Sequence, residues 1–150
     1  MPSPLVFRCP ACGAMNRIAV AQPGRQAVCG KCKADLDTGG VAGHVDVAAL
    51  ERAVAASPAP VLVDFWAPWC QPCRAFAPVL ERFAREEAGR LVVLKLDTEA
   101  NPAAGARFGI QAIPTLVVFQ GGREIDRASG ALPLQELRRF VAAAAPALAG

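Results

Sequence analysis

Cysteine is the residue type with the most informative spacing in this chain. The six cysteines form three C-x-x-C pairs, which are Cys9/Cys12, Cys29/Cys32 and Cys70/Cys73. A C-x-x-C pair can supply two thiolates to a metal ion or close a reversible disulfide. Because the sequence around the pairs differs, we expect the first two to bind one metal ion and the third to do redox chemistry.

The third pair lies where a strand pattern changes into a helical one. Residues 61–66 are apolar on both parities except for Asp64, with β-branched Val61 and Val63, and a helical pattern runs from Cys70 to about residue 88. Unpaired N–H groups and the positive end of the helix dipole stabilise a thiolate at a helix N-terminus. We therefore predict that Cys70 is the exposed nucleophile and that Cys73, one turn along, is the shielded resolving thiol.

A second metal site, or two cysteines of the core, would be alternative interpretations of this pair. Residues 44–150 contain only these two cysteines and His44 as soft ligands, which is too few for a closed metal shell. The redox interpretation is therefore favoured.

The first two pairs have the spacing of a zinc site, since 16 residues separate Cys12 from Cys29. Gly13 and Gly30 would let the backbone turn tightly around each pair, and four thiolates would complete a tetrahedral shell. A closed shell indicates a structural metal. Iron in the same shell and disulfide formation on oxidation remain alternatives. We interpret His44 as a surface residue at the start of a helix, not as a ligand.

The elements that must position these cysteines divide the chain in two. Residues 36–43 contain three glycines and no periodicity, which predicts a linker between a module at 1–40 and a domain at 41–150. The domain pattern runs helix, strand, helix, strand, helix, hairpin, helix, with Gly121-Gly122 as the hairpin turn. This order indicates an α/β fold whose sheet begins parallel and ends antiparallel, with helices on both faces.

Composition and charge narrow the class of protein. With 150 residues and 53% hydrophobic residues, the chain can bury a real core. It has no export-type h-region and no run of roughly 18 apolar residues, so we expect a soluble cytoplasmic protein. The net charge of +3 lies entirely in residues 1–43, where four thiolates on a divalent ion would reduce it to +1. We therefore expect neither a nucleic-acid partner nor a membrane.

From Val61 to Ala145 the sequence resembles thioredoxin, in which the site usually reads W-C-G-P-C. The resemblance rests on the C-x-x-C site and on six further segments, which are Val63–Ala67, Lys95–Asp97, Asn101-Pro102, Phe108–Ile110, Ile113–Thr115 and Ser129–Ala131. The front extension is similar to that of zinc-containing bacterial thioredoxins. The resemblance implies a thioredoxin fold, with a central mixed sheet, preceded by a small zinc-ribbon module.

The resemblance also implies roles for other residues. Asp64, a carboxylate in an apolar strand, would exchange a proton with Cys73, and Lys95 would pair with that acid. A purely structural role is the alternative for both. Pro114, which matches the family's cis-proline, is a further catalytic candidate. The substrate-binding candidates are Trp69, Gln71, Pro72, Gly109, Ile113 and Gly130, and Gln71 replaces the family's usual glycine.

The function implied is reduction of protein disulfides by a monomer with no organic cofactor. A flavin-dependent thioredoxin reductase would restore the dithiol. Two alternatives concern the zinc ribbon. It could be a binding module for a protein or nucleic acid, with the redox domain as a passenger, or a sensor that releases metal when oxidised.

Overall fold

The structure is a computed structural model that describes residues 5–8, 12, 14–18, 27–36, 43–57, 59–87 and 90–146. Cys9, Gly13 and most of the predicted linker lie outside the described residues. None of the helices in the described part of the chain is long and apolar enough to cross a membrane.

The first 36 residues contain two short antiparallel ribbons. The first pairs β1 (Leu5–Arg8) with β2 (Met15–Ile18), and the second pairs β3 (Ala27–Val28) with β4 (Asp35–Leu36). Cys29 and Cys32 lie in the connection between β3 and β4. This tight turn brings the two cysteines of one C-x-x-C pair together.

The rest of the described chain alternates strands and helices around one sheet. The strands are β5 (Gly43–His44), β6 (Val61–Trp66), β7 (Val92–Asp97), β8 (Thr115–Gln120) and β9 (Arg123–Ser129). The helices are α1 (Val47–Ala56), α2 (Gln71–Glu86), α3 (Ala103–Phe108) and α4 (Leu134–Ala144). Apart from β5, this is the predicted order. The Asp46 side chain caps α1 by accepting a hydrogen bond from the Ala49 N–H at 2.7 Å.

The five strands are arranged in the order β5-β7-β6-β8-β9. β7 is parallel to β5 and β6, whereas β8 is antiparallel to β6 and β9. The predicted change from parallel to antiparallel pairing is confirmed, and the fold is the thioredoxin fold. β5 was not predicted, because its two residues are too few to show a period and lie at the edge of the glycine-rich linker.

Alternate residues of β6 face two separate hydrophobic cores. Leu62 packs with α2 and α4 residues such as Phe76 and Leu137, whereas Phe65 belongs to the core on the side of α1 and α3. Every residue of β6 from Val61 to Phe65 is buried. Helices therefore cover both faces of the sheet, as predicted from the apolar residues on both sides of this strand.

The β8–β9 hairpin turns at Gly121 and Gly122, with φ values of 63° and 80°. Two consecutive residues with positive φ are typical of a type I′ turn, in which glycine avoids the steric cost that other residues incur. The hairpin predicted from this dipeptide is confirmed. It brings β9 to the edge of the sheet beside β8, which begins directly after Pro114.

Candidate active site

Cys70 is the N-cap residue of α2 and forms a disulfide with Cys73, with the two Cα atoms 5.3 Å apart. The Cys73 backbone N–H points at the Cys70 Sγ, 3.3 Å away. β6 ends at Trp66, and a short segment connects it to Cys70 at the beginning of the helix. In the dithiol form, the same N–H and the helix dipole would stabilise a Cys70 thiolate.

The two cysteines are almost equally buried in the disulfide form. Cys70 is 5% exposed and Cys73 is 2% exposed, so the prediction of an exposed Cys70 is wrong for this state. Both form a buried cluster with Ala67, against which Trp66 and Ile113 pack. The neighbouring Trp69 is 66% exposed, and Gln71 and Pro72 also lie at the surface.

The segment before β8 lies against the disulfide. The Ile113–Pro114 peptide bond is cis, as the resemblance predicts, and Pro114 is buried. The Ile113 carbonyl oxygen lies 3.9 Å from the Cys70 Sγ. Gly109 ends α3 in the left-handed conformation, with φ 65°, and Gly130 follows β9 with φ 100°. Of the predicted substrate-binding residues, Ile113 is the one that contacts the cysteines from a distant part of the chain.

Asp64 lies in the middle of β6 and is completely buried. It is in register with Lys95 on β7 and Leu116 on β8. By strand alternation it faces the same side as Leu62, which is the side covered by the helix that carries Cys73. Neither carboxylate oxygen has a hydrogen-bond partner among the described residues. A carboxylate without such partners is costly to ionise.

Burial raises the pKa of Asp64 from 3.8 to about 7, and the positive charge of Lys95 only partly opposes this increase. A carboxyl group with this pKa can both release and accept a proton near neutral pH. The family resemblance singled out Asp64, a carboxylate in an apolar strand, and its burial is the physical cause of the raised pKa.

Lys95 is only 8% exposed, and its Nζ lies 4.6 Å from the centroid of the Trp66 ring. This geometry is a cation–π contact, which retains the lysine beside the acid. The exposed His44 also approaches Trp66, with ring centroids 6.0 Å apart. Trp66, at the end of β6, therefore contacts both Lys95 and His44. No local pattern signals these contacts, because they join three strands.

The raised pKa of Asp64 predicts how stability depends on pH. The native state holds the Asp64 proton more tightly than the unfolded state does. The contribution of Asp64 to stability is therefore complete below pH 3.8 and is lost as pH rises from 3.8 through about 7. Relative to Asp64→Asn, the disulfide form of the wild type should lose roughly 1.4 kcal/mol of unfolding free energy per pH unit between these two pH values. Denaturant unfolding at several pH values measures this difference.

Glu99→Gln is the control, because Glu99 is an exposed carboxylate near the end of β7. This variant should keep the pH dependence of the wild type. Parallel stability curves for wild type and Asp64→Asn would contradict the assignment of a raised pKa to Asp64.

A separate cluster of thiols lies in the first part of the chain. The Sγ atoms of Cys12, Cys29 and Cys32 all lie within 4.8 Å of one another. Cys29 is buried, whereas the other two are exposed. The predicted fourth ligand, Cys9, lies outside the described residues. Three sulfurs at this separation could hold a metal ion.

The geometry of the cluster fits a tetrahedral thiolate site. Sulfurs about 2.3 Å from a zinc ion would be about 3.8 Å apart. The Cys12 and Cys29 sulfurs are 3.6 Å apart, and the Lys31 N–H points at the Cys29 Sγ from 3.4 Å. Within the described residues, the positive φ of this turn occurs at Lys33, at 66°, and not at Gly30. The turn directs the Lys31 N–H at the Cys29 Sγ.

In a comparison with known proteins, the thioredoxin family model matches residues 41–143 of this chain. Thioredoxin 1 of Nostoc is 45% identical over 92 residues, covering 61% of this chain and 86% of that protein. The thioredoxin of Haemophilus influenzae is 42% identical over 98 residues, covering 65% of this chain and 92% of that protein. The thioredoxin of Alicyclobacillus acidocaldarius is 49% identical over 83 residues, covering 55% and 79% respectively.

Proposed function

Since this chain belongs to the thioredoxin family of protein-disulfide oxidoreductases, we propose that Cys70 is its nucleophile and Cys73 its resolving thiol. The position of Cys70 at the N-cap of α2, with the Cys73 N–H 3.3 Å from its Sγ, carries this assignment. The helix terminus favours a thiolate at Cys70, and the thiolate is the attacking species in disulfide exchange.

In the proposed reaction, the Cys70 thiolate attacks one sulfur of a substrate disulfide. A mixed disulfide forms, and the other substrate sulfur leaves as a thiolate that takes up a proton. Cys73 then loses its proton, attacks the Cys70 Sγ and displaces the second substrate thiol. The substrate gains two electrons and two protons in total, and the Cys70–Cys73 disulfide remains.

We assign the removal of the Cys73 proton to Asp64. Its burial on the side of the sheet covered by α2, and its pKa of about 7, support this role. An acid with this pKa can take the proton during oxidation and return it when the dithiol is restored. Lys95, adjacent in register, lowers the cost of the ionised form.

We propose that substrates bind to the surface around the disulfide. This surface lies beside Pro114 and consists of Trp69, Gln71, Pro72, Gly109, Ile113 and Gly130. The exposed Trp69 ring provides apolar area, and the Ile113 backbone next to Cys70 suits strand-like pairing with an extended segment. Gln71 is the feature that distinguishes this surface from that of the usual family motif.

The oxidised protein needs a source of electrons. Members of the family act on disulfide-containing proteins and are restored by a reductase. For this chain we propose a flavin-dependent thioredoxin reductase, with no organic cofactor held by the protein itself. A monomer in the cytoplasm is consistent with this cycle, because reducing compartments keep such thiols reduced.

We also propose that residues 1–40 form a module with one structural zinc ion, and that 41–150 form the redox domain. The support is the fit of Cys12, Cys29 and Cys32 to a tetrahedral sulfur site, with Cys9 as the fourth ligand. A bound zinc ion would supply cross-links that so small a module needs to fold. Four protein ligands would leave no coordination position for catalysis.

Reduction of insulin disulfides tests the roles of the two cysteines. Cys70→Ser should lose essentially all activity, because it lacks the nucleophile. Cys73→Ser should form a mixed disulfide with the substrate and stop there, which mass spectrometry detects. Cys12→Ser is the matched control and should retain activity if the front cysteines have a structural role. Turnover by Cys70→Ser would refute the proposed function.

The proton transfer predicts a second kinetic result. Reduction by the wild type should accelerate as pH rises through about 7, where Asp64 becomes a carboxylate. Asp64→Asn should lose this step in the pH profile and resolve the mixed disulfide about tenfold more slowly or worse. Stopped-flow measurement across this pH range would show it. An unchanged rate and profile would leave Asp64 with a structural role only.

Metal analysis tests the proposed zinc site. Protein purified without oxygen should contain one zinc ion per chain, and Cys29→Ser should lose most of it. Cys73→Ser should retain the metal, because Cys73 lies outside the thiol cluster. Iron instead of zinc, or metal retained by Cys29→Ser, would contradict the proposal.

A further inference from the structure

Arg127 joins the edge strand β9 to the end of α3. Its Nη1 donates to the Gly109 carbonyl at 3.1 Å, and its Nη2 donates to the Phe108 carbonyl at 2.8 Å. The same guanidinium donates twice to the Glu124 carboxylate, at 2.6 Å each. One side chain thus holds two backbone carbonyls while a carboxylate orients it.

The two carbonyls belong to a helix end that needs hydrogen-bond donors. The last carbonyls of an α-helix have no partners within the helix, and arginine side chains can supply them. The Phe108 ring also packs against Phe65 and Phe119, with centroid distances of 5.3 and 6.3 Å. The end of α3 is therefore fixed by ring packing on the core side and by Arg127 from β9.

β9 also holds the other end of the segment that begins at Gly109. The Gly130 N–H donates to the Pro114 carbonyl at 2.8 Å, directly beyond the end of β9. Ser129 is in register with Thr115, whose hydroxyl donates to the Ala112 carbonyl. Residues 109–114, which we call the docking segment, are thus attached to β9 or its immediate extension at both ends.

The docking segment places a backbone carbonyl close to the nucleophile. The Ile113 carbonyl oxygen lies 3.9 Å from the Cys70 Sγ, and Ile113 packs against the cluster of Ala67, Cys70 and Cys73. A shift of the segment would move this carbonyl relative to the sulfur. Among the described residues, the Arg127 side chain donates to Glu124, Phe108 and Gly109 and not to either cysteine, so its influence must pass through the backbone of the segment.

The ion pair with Glu124 does not by itself explain the position of the Arg127 side chain. Arg127 and Glu124 are both more than a third exposed, and exposed ion pairs contribute little to stability. The pair does, however, fix the planar guanidinium, so that its other N–H groups face the two carbonyls. Lysine has no such fork and could not make the same set of contacts.

We propose that Arg127 is a positioning residue for substrate binding, which holds the docking segment so that the Ile113 backbone can pair with a protein substrate. This inference rests on the proposed function, in which that segment binds the substrate. Arg127 then sets the affinity for protein disulfides, and the intrinsic reactivity of Cys70 does not depend on it.

Arg127→Met in the full-length protein is the direct test, because methionine keeps an unbranched stem and removes every donor. With insulin as substrate, its KM should rise about three- to tenfold, the loss expected for one or two hydrogen bonds, with kcat within about twofold. Its rate with a small aromatic disulfide, which does not pair with the segment, should stay within about twofold. Arg127→Lys should restore part of the lost affinity.

Arg138→Met is the matched control. Arg138 makes a comparable two-bond contact, donating to Glu86 at 2.9 and 2.6 Å, at the opposite end of α2 from Cys70. This variant should leave both substrates unaffected. Denaturant midpoints of all three variants establish that each is folded under the assay conditions.

An unchanged insulin KM in folded Arg127→Met would overturn the inference, and so would an equal loss of rate with both substrates. Cys70→Ser, assayed in parallel, separates this outcome from failure of the proposed function. If Cys70→Ser is inactive and Arg127→Met behaves as wild type, the cysteine chemistry stands and the positioning role does not.

Discussion

The burial of β6 on both faces is the constraint on which the rest of the structure depends. A strand with helices on each side must be apolar throughout, and residues 61–65 are all buried. The one exception in chemistry is Asp64, which acquires its raised pKa because the surroundings exclude water. The same strand ends at Trp66 and places Cys70 at the beginning of α2. The position of Cys70 and the raised proton affinity of Asp64 therefore both depend on this buried strand.

The sequence predicts the parts of the site that depend on local order. The apolar residues on both parities of 61–66 correctly indicate β6. The cysteine at the start of a helical pattern indicates the N-terminus of α2, and Gly121-Gly122 indicates the hairpin. The cis bond before Pro114 was inferred from the family resemblance, since no spacing rule implies it. β5 escaped prediction because two residues carry no period. The burial of Cys70 was not predicted because part of its cover is Ile113, which lies 43 residues further along the chain.

The chain uses one spacing of cysteines for two kinds of environment. In the first part of the chain, a tight turn brings Cys29 and Cys32 close to Cys12, so that each sulfur has other sulfurs as neighbours. At the redox site, the Cys70 Sγ lies near the Cys73 N–H at a helix N-terminus and near the Ile113 carbonyl. The surroundings beyond the C-x-x-C pair thus decide whether the thiols are suited to a metal ion or to electron transfer. The environment of Lys95 likewise depends on residues beyond its own strand. Lys95 lies beside a buried acid, and its ammonium group contacts the Trp66 ring.

The attachment of residues 109–114 to β9 has a consequence for motion. β9 lies at the edge of the sheet and pairs only with β8 among the described strands, and its side chains are mostly exposed. Edge strands with few buried contacts are among the first elements to open locally, at a lower free energy than global unfolding. Each opening of β9 would release both ends of the segment beside Cys70 at once. Residues 109–114 therefore share the local opening equilibrium of the sheet's outermost strand, whereas the disulfide lies at the N-terminus of α2, which packs into the core.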